Sequence, residues 1–386
     1  MEAKSSELIG TESPTAHPLR LLLDGRKLRD GGIGVYIDNL ILGLLEIGGV
    51  SITVIYGDDR CRDASYADKV EWLWDPATPY SFDEMMKMSS RIDFSRYDIF
   101  HTPHYMLPYR IPIPTVVTVH DLIHISHPEK MWYPAVARFL IRSAVRRADG
   151  VLAVSRHTQA GVKRLTRAAD EKIRYVPNAI SPRLLSPASE SILPNVESPY
   201  LFALFSNTKP HKGLADLVAA YEEFREGQQW RAYAAECPML ILAGFGIERY
   251  VSSAEGRAVL AGVEGVRAIG AVSDSELALY VKEALALVVP SHIEGFCLPA
   301  VEAQAVGTPV ICRPVPALLE LVTEKDTVAD SFSITSLAKA IEAGLARGGA
   351  SDRTPAAAHV QLYSCVNIAS MVRSEYERIL ALRRGS

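Results

Sequence analysis

Two carboxylates bracket one turn in the stretch 288–310, VVPSHIEGFCLPAVEAQAVGTPV: Glu294 before it and Glu302 after it, with seven residues between them. The apolar run at 286–289 reads as a buried strand. Pro290, Ser291 and Gly295 break the run, and Pro299 is expected to open a helix, where its missing N–H would be unpaired anyway. The amides of Phe296, Cys297 and Leu298 then face outward at a helix N-terminus, which favours an anion such as a phosphate. Glu302 lies about one turn into that helix, and helical side chains lean back toward the N-terminus. A carboxylate suits a sugar diol, because its two oxygens accept from adjacent hydroxyls. A nucleoside diphosphate sugar carries diols on both sides of an anion. Two glutamates on a solvated helix would give the same spacing.

Other residue types add to this chemistry. Lys209 and Lys212, in the segment SNTKPHKGL at 206–214, are placed to neutralise a diphosphate, although surface lysines would read the same way. Gly31-Gly32-Ile33-Gly34 stands between a strand and a helix, so Gly32 and Gly34 are expected in a loop whose backbone approaches a phosphate or sugar. A tight turn explains those glycines equally well, and the pattern is not that of a nicotinamide site. His120 follows the strand 115–119 at the edge where open α/β sheets bind ligands; a hydrogen-bonded structural histidine is the alternative. His101, His104, His124 and His127 crowd the same region in a spacing that fits no metal motif. Arg138, Arg142 and Arg146 recur every four residues beside Arg147, on a helix whose apolar surface comes from Val136, Phe139, Leu140 and Ile141. Such a helix can rest on anionic lipid or present a solvated face.

The elements that position these residues follow one rhythm. Short apolar runs alternate with amphipathic stretches from Leu19 onward, which argues for layered α/β architecture with parallel sheets. The Pro- and Ser-rich stretch 178–199 interrupts the rhythm, which then restarts, so two sheets of similar size are expected around one linker. The 386 residues are 48% hydrophobic, enough for two cored domains. A net charge of −4 gives no reason to expect a nucleic-acid partner. Five scattered cysteines argue against a disulfide framework or a zinc site and for a reducing compartment. No stretch approaches a membrane span, and residues 1–18 read as a flexible tail without the apolar core of a secretion signal. The stretch 61–95 is irregular.

Glu294–Glu302 with the following GTPV, the GGIG segment, HDL at 120–122, VSRHT at 154–158, VPNAI at 176–180 and KPHKG at 209–213 occur in the order found in one family. The chain resembles a family-4 retaining glycosyltransferase of the GT-B type, with a mannosyltransferase-like look. The resemblance implies two Rossmann-like domains facing each other across a cleft. Residues 19–180, with a C-terminal helix at 367–382, would bind acceptor, and 181–366 would bind the nucleotide-sugar donor. It implies metal-independent retaining transfer with no cofactor beyond the GDP- or UDP-linked donor. GDP-mannose is the first expectation, with a saccharide or lipid-linked acceptor of cell-surface polysaccharide synthesis, in the cytoplasm or at the inner face of the membrane. By the same resemblance Glu302 holds the ribose diol and Glu294 faces the donor sugar. Gly32, Gly34 and residues Gly295, Phe296, Cys297 and Leu298 surround the diphosphate. Lys209 and Lys212 replace a metal's charge, and His120 orients sugar or acceptor. Two departures stand out: relatives often carry Gly where Cys297 sits, and Thr208 stands where many carry Arg. A sugar-nucleotide epimerase on the same fold and a non-catalytic partner in a glycosylation complex are the rival readings.

Overall fold

A computed structural model of the chain describes residues 17–185, 199–232, 234–347, 354–355 and 357–385. The chain enters as β1 (Leu19–Asp24), α1 (Gly31–Ile47), β2 (Val50–Tyr56), β3 (Glu71–Trp74), α2 (Phe82–Arg91), β4 (Ile99–Thr102) and β5 (Thr115–Val119). It continues as α3 (Ile123–Ser126), α4 (Tyr133–Arg147), β6 (Gly150–Ala153), α5 (Arg156–Thr166), β7 (Ile173–Tyr175) and α6 (Pro182–Leu185). The second half runs β8 (Tyr200–Phe205), α7 (Leu214–Gly227), β9 (Met239–Gly244), α8 (Ile247–Val251), α9 (Ala254–Leu260), β10 (Val266–Gly270), α10 (Asp274–Glu283) and β11 (Ala286–Val289). It closes with α11 (Leu298–Ala305), β12 (Val310–Cys312), α12 (Pro316–Leu319), β13 (Thr327–Val328), α13 (Ile334–Ala346), α14 (Ala357–Leu362) and α15 (Cys365–Arg384).

β1–β7 form one sheet, ordered 3-2-1-4-5-6-7, and β8–β13 form a second, ordered 10-9-8-11-12-13. Every strand pairing is parallel. Parallel strands covered on both faces read as continuous apolar runs. That is why VVTV at 116–119 and YLFALF at 200–205 alternate so little between polar and apolar residues. The strand order reverses beside β1 in one sheet and beside β8 in the other, and each reversal opens a crevice at the strands' carboxyl ends. The two crevices face one another. The architecture is two Rossmann-like domains.

The C-terminal helix crosses back to the first sheet. Cys365, Ile368, Ala369, Val372 and Tyr376 of α15 are buried in the same core as Leu40, Ile41 and Leu44 of α1. Contact at Gly43 is so close that a Cβ there would stand 2.3 Å from the Cys365 carbonyl oxygen.

The glycine segment corrects one expectation. Gly31–Gly34 is the first turn of α1 and not a loop. Gly34 is a packing residue: a Cβ on it would lie 2.3 Å from the Leu28 carbonyl oxygen. Within the irregular stretch 61–95 the chain makes β3 and α2, the latter started by the Ser81 hydroxyl accepting from the Glu84 amide. The expected helix start at Pro299 moves to Leu298, which puts Pro299 at the second helical position. The flexible tail expected at 1–18 lies outside the described residues except for 17 and 18, as does the 186–198 part of the linker.

Candidate active site

Between the two sheets lies a cavity of about 990 Å³. It is lined by Gly32, His120, Lys209, Lys212, Glu294, Gly295, Phe296, Cys297, Leu298 and Glu302, so these sequence-selected residues are brought together. Gly34 does not line it, for the packing reason given above.

The chain leaves β11 at Val289 and turns into α11 through Cys297, which has the left-handed backbone (φ +83°) that favours glycine. No side chain caps α11, so its first amides are not satisfied by a cap. Gly295 touches the first domain directly: a Cβ there would stand 2.1 Å from the His120 carbonyl oxygen. Only glycine fits that approach. The rings and side chains of Phe296 and Leu298 are buried in the second core, so the cavity meets chiefly their backbone.

Lys212 Nζ donates to Glu294 Oε1 at 2.7 Å, and the Ser291 hydroxyl donates to the same oxygen at 2.7 Å. Burial opposes the charge on Lys212, but the carboxylate beside it prevails and raises its pKa. Glu302 is buried, and burial pushes its pKa up to about 7 against a backbone hydrogen bond from Ser181. A carboxyl held near neutrality, with no cation bonded to it among the described residues, is prepared for hydroxyl donors. Lys209 crosses the cleft to Glu129 at 2.5 Å. Opposite, His120 Nε2 lies 2.9 Å from the Pro103 carbonyl oxygen, so that nitrogen carries the proton and Nδ1 is left as an acceptor. The Tyr36 ring packs edge-on against the imidazole at 4.9 Å, and burial lowers its pKa to about 4. His120 is therefore neutral at physiological pH.

Three features of the surroundings had no signal in the sequence. Glu320 of the second domain accepts from the amides of Arg156 and His157 at 2.8 and 2.7 Å, fixing the start of α5 across the cleft. Arg183 and Asp274 pair at 2.8 Å on the cavity's far rim. Behind β1, Arg26 Nη2 lies 2.6 Å from both Asp24 and Glu84, with His104 3.4 Å from Asp24. Asp24, Glu84 and His104 are grouped as metal ligands can be, but the guanidinium already supplies their positive charge. A composition-based reading has no access to such pairings, because Arg183 lies 91 residues from Asp274 and Arg156 lies 164 from Glu320.

Comparison with known proteins follows the same division. Residues 30–184 match Glycosyltransferase Family 4, and residues 187–358 match Glycosyl transferases group 1. The O-antigen chain mannosyltransferase RfbU of Salmonella typhimurium is 25% identical over 64% of this chain and 65% of its own length. The O-antigen chain mannosyltransferase B of Escherichia coli is 28% identical over 64% of each chain. The chain thus spans just under two thirds of these curated relatives. Among solved structures, the sucrose-phosphate synthase of Thermosynechococcus elongatus superposes with a TM-score of 0.76 at 20% identity, over 95% of this chain and 100% of that one. Anabaena HepE in complex with UDP-glucose gives 0.72 at 17% identity, over 93% and 100%. These two show the shared fold.

Proposed function

From the premise that the chain belongs to the group 1 glycosyltransferases of the GT-B type, we propose that it moves a hexose from a nucleoside diphosphate sugar to a saccharide or lipid-linked acceptor, with retention and without a metal. One observation carries the reading. A single cavity holds an uncapped helix start, a lysine bridged to one carboxylate, and a second, buried carboxyl near neutrality. The α11 amides with Lys212 and Lys209 stabilise the diphosphate as it gains charge on leaving, which prearranged donors do at low reorganisation cost. Glu302 accepts from the ribose diol. Glu294, held by Lys212 and Ser291, faces the sugar hydroxyls. The neutral His120 offers Nδ1 to a sugar or acceptor hydroxyl. The departing phosphate takes the acceptor's proton, and no side chain acts as nucleophile.

GDP-mannose is the favoured donor, its mannosyl group supported by the names of the two mannosyltransferase relatives, and UDP-sugars come second. The test is nucleoside diphosphate release from a panel of nucleotide-sugars with and without acceptor. Acceptor-dependent release supports transfer. Acceptor-independent conversion of the sugar would identify an epimerase, and binding without turnover a non-catalytic partner; either result overturns the reading.

The proposed site of work is the cytoplasmic face of the membrane, reached by peripheral contact through α4. No helix among the described residues is long and apolar enough to cross a membrane. Arg138, Arg142 and Arg146 are exposed on α4, and Trp132 and Phe139 beside them are 56% and 62% exposed. With Lys172 the arginines line a groove of about 760 Å³. Each basic residue near an anionic surface contributes about 1 kcal/mol, enough for reversible attachment. Co-sedimentation with anionic liposomes should occur at low salt and weaken when the three arginines become Gln; absence of binding at low salt ends this part of the proposal.

A further inference from the structure

The donor site rests on two loops, one ending at Lys212 and one carrying Glu294. Both are tied to one residue that does not line the cavity. Arg313, just after β12, is wholly buried. Its Nη1 donates to Asp216 Oδ2 at 2.7 Å and to the Pro290 carbonyl at 3.0 Å, and lies 2.7 Å from His292 Nε2. Asp216 stands in the first turn of α7, immediately beyond the loop that holds Lys212. Pro290 and His292 belong to the segment that delivers Glu294. The same two segments meet directly: the His292 amide donates to the His211 carbonyl at 2.8 Å, and a Cβ on Gly213 would stand 2.3 Å from the Pro290 carbonyl oxygen. Phe332 stacks on His292 at 6.0 Å and closes the cluster from outside.

The arrangement is poor as a device for stability. A buried guanidinium is costly to desolvate unless its donors are satisfied, and Nε and Nη2 of Arg313 have no hydrogen-bond partner among the described residues. What Nη1 does provide is a fixed distance between the base of one loop and the base of the other. The Lys212–Glu294 bridge closes the same two loops at their tips. We propose that Arg313 is a positioning residue of the donor site: by bonding Asp216 and Pro290 together it sets where Lys212 meets the donor diphosphate. The proposal rests on the nucleotide-sugar reading of the cavity.

The test is a double-mutant cycle on nucleoside diphosphate affinity, read by calorimetry with GDP and, if GDP does not bind, UDP. Arg313→Met should weaken binding about tenfold in the wild-type background and by less than about twofold in a Lys212→Met background, since residues acting through one another are non-additive. In turnover, the donor KM should rise while the acceptor KM stays unchanged. A merely structural role would lower the melting temperature, move both KM values and add fully to Lys212→Met. Wild-type affinity in Arg313→Met, or full additivity, overturns the proposal. The transferase reading fails separately, if wild-type protein binds the nucleotide but transfers nothing; the cycle then still decides the role of Arg313. If neither nucleotide binds wild-type protein, both fall.

Discussion

Glu302→Gln separates the protonation of the buried carboxyl from its shape. Glu302 is 7% exposed, and burial moves its pKa from an ordinary 4.5 to about 7. One pKa step corresponds to 1.36 kcal/mol, so holding the ionised form in the folded protein costs about 3 kcal/mol. The sign follows from proton counting. Below 4.5 the group is neutral in folded and unfolded chains, and the substitution should change little. Between 4.5 and 7 the folded protein binds more protons than the unfolded chain, so wild-type stability declines as pH rises. Above 7 the full cost is present. The stability of Glu302→Gln relative to wild type should therefore climb by about 3 kcal/mol between pH 4.5 and 7.5 and then level off.

Donor binding supplies the complementary signature. Hydroxyl donors from a diol favour the carboxylate, so binding near pH 6.5 should release a proton from Glu302. Calorimetry in buffers of different ionisation enthalpy reads that release directly. The Gln variant should bind donor more weakly by roughly 1.5–3 kcal/mol at pH 8, where a charged acceptor is lost, and should release no proton. Parallel stability profiles for the two proteins from pH 4.5 to 8 would refute the raised pKa of Glu302, and unchanged donor affinity in the Gln variant would refute its assignment as the diol acceptor.

Glu294→Ala should lower kcat more than it raises the donor KM, because the proposed function sets Glu294, held by Lys212, against the reacting sugar; steady-state kinetics with the true donor and acceptor check this. Turnover should survive exhaustive chelation, since Lys209, Lys212 and the α11 amides provide the positive potential; complete loss restored only by magnesium or manganese would contradict it. At Cys297 the φ of +83° ranks substitutions. Glycine should melt no lower than wild type, whereas Cys297→Val should lose at least about 1–2 kcal/mol, because a β-branched side chain is poorly tolerated there; denaturation midpoints decide the order. Phe245, 77% exposed between Gly244 and Gly246 on the cavity rim, should weaken nucleotide affinity by about 1–3 kcal/mol when changed to Ala if its ring stacks on the base; unchanged GDP affinity would remove it from the site.

The sequence was most readable where local chemistry decides structure. Parallel strands announce themselves as apolar runs, and the Pro, Gly and Ser residues from 290 to 299 can only break β11 and start α11. Glu294 and Glu302 were legible because they lie within one such unit. Gly34 was misplaced because a glycine needed for a turn and one needed for close packing look alike without the neighbour, here the Leu28 carbonyl. β3 and α2 escaped because their support is tertiary: Arg91 of α2 reaches the Asp75 carboxylate, and Glu84 meets Arg26 from the far side of β1. β13 has only two residues, and no periodicity survives at that length. Arg313 carries no local signal of its role, since nothing near it in sequence shows that Asp216, 97 residues earlier, meets it.

The proposed metal-free transfer makes the cleft's own charges responsible for receiving the diphosphate. Three of the cations at the cleft are paired with carboxylates, Lys212 with Glu294, Lys209 with Glu129 and Arg183 with Asp274, while Arg29 donates to the Arg60 carbonyl. An incoming diphosphate therefore exchanges partners and does not simply fill a positive hole. The exchange frees Glu294 next to the place where the sugar hydroxyls would lie, while Glu302, with no cation bonded to it among the described residues, is already open to the ribose; carboxylates are strong acceptors for both. Anion and sugar hydroxyls then satisfy opposite members of the Lys212–Glu294 pair. A free phosphate would claim the lysines and leave the largely buried Glu294 unpaired, which is unfavourable. A diol alone would not displace a lysine. A ligand with hydroxyls beside a diphosphate meets both demands, which is how the pairing would contribute to the proposed selectivity for a nucleoside diphosphate sugar.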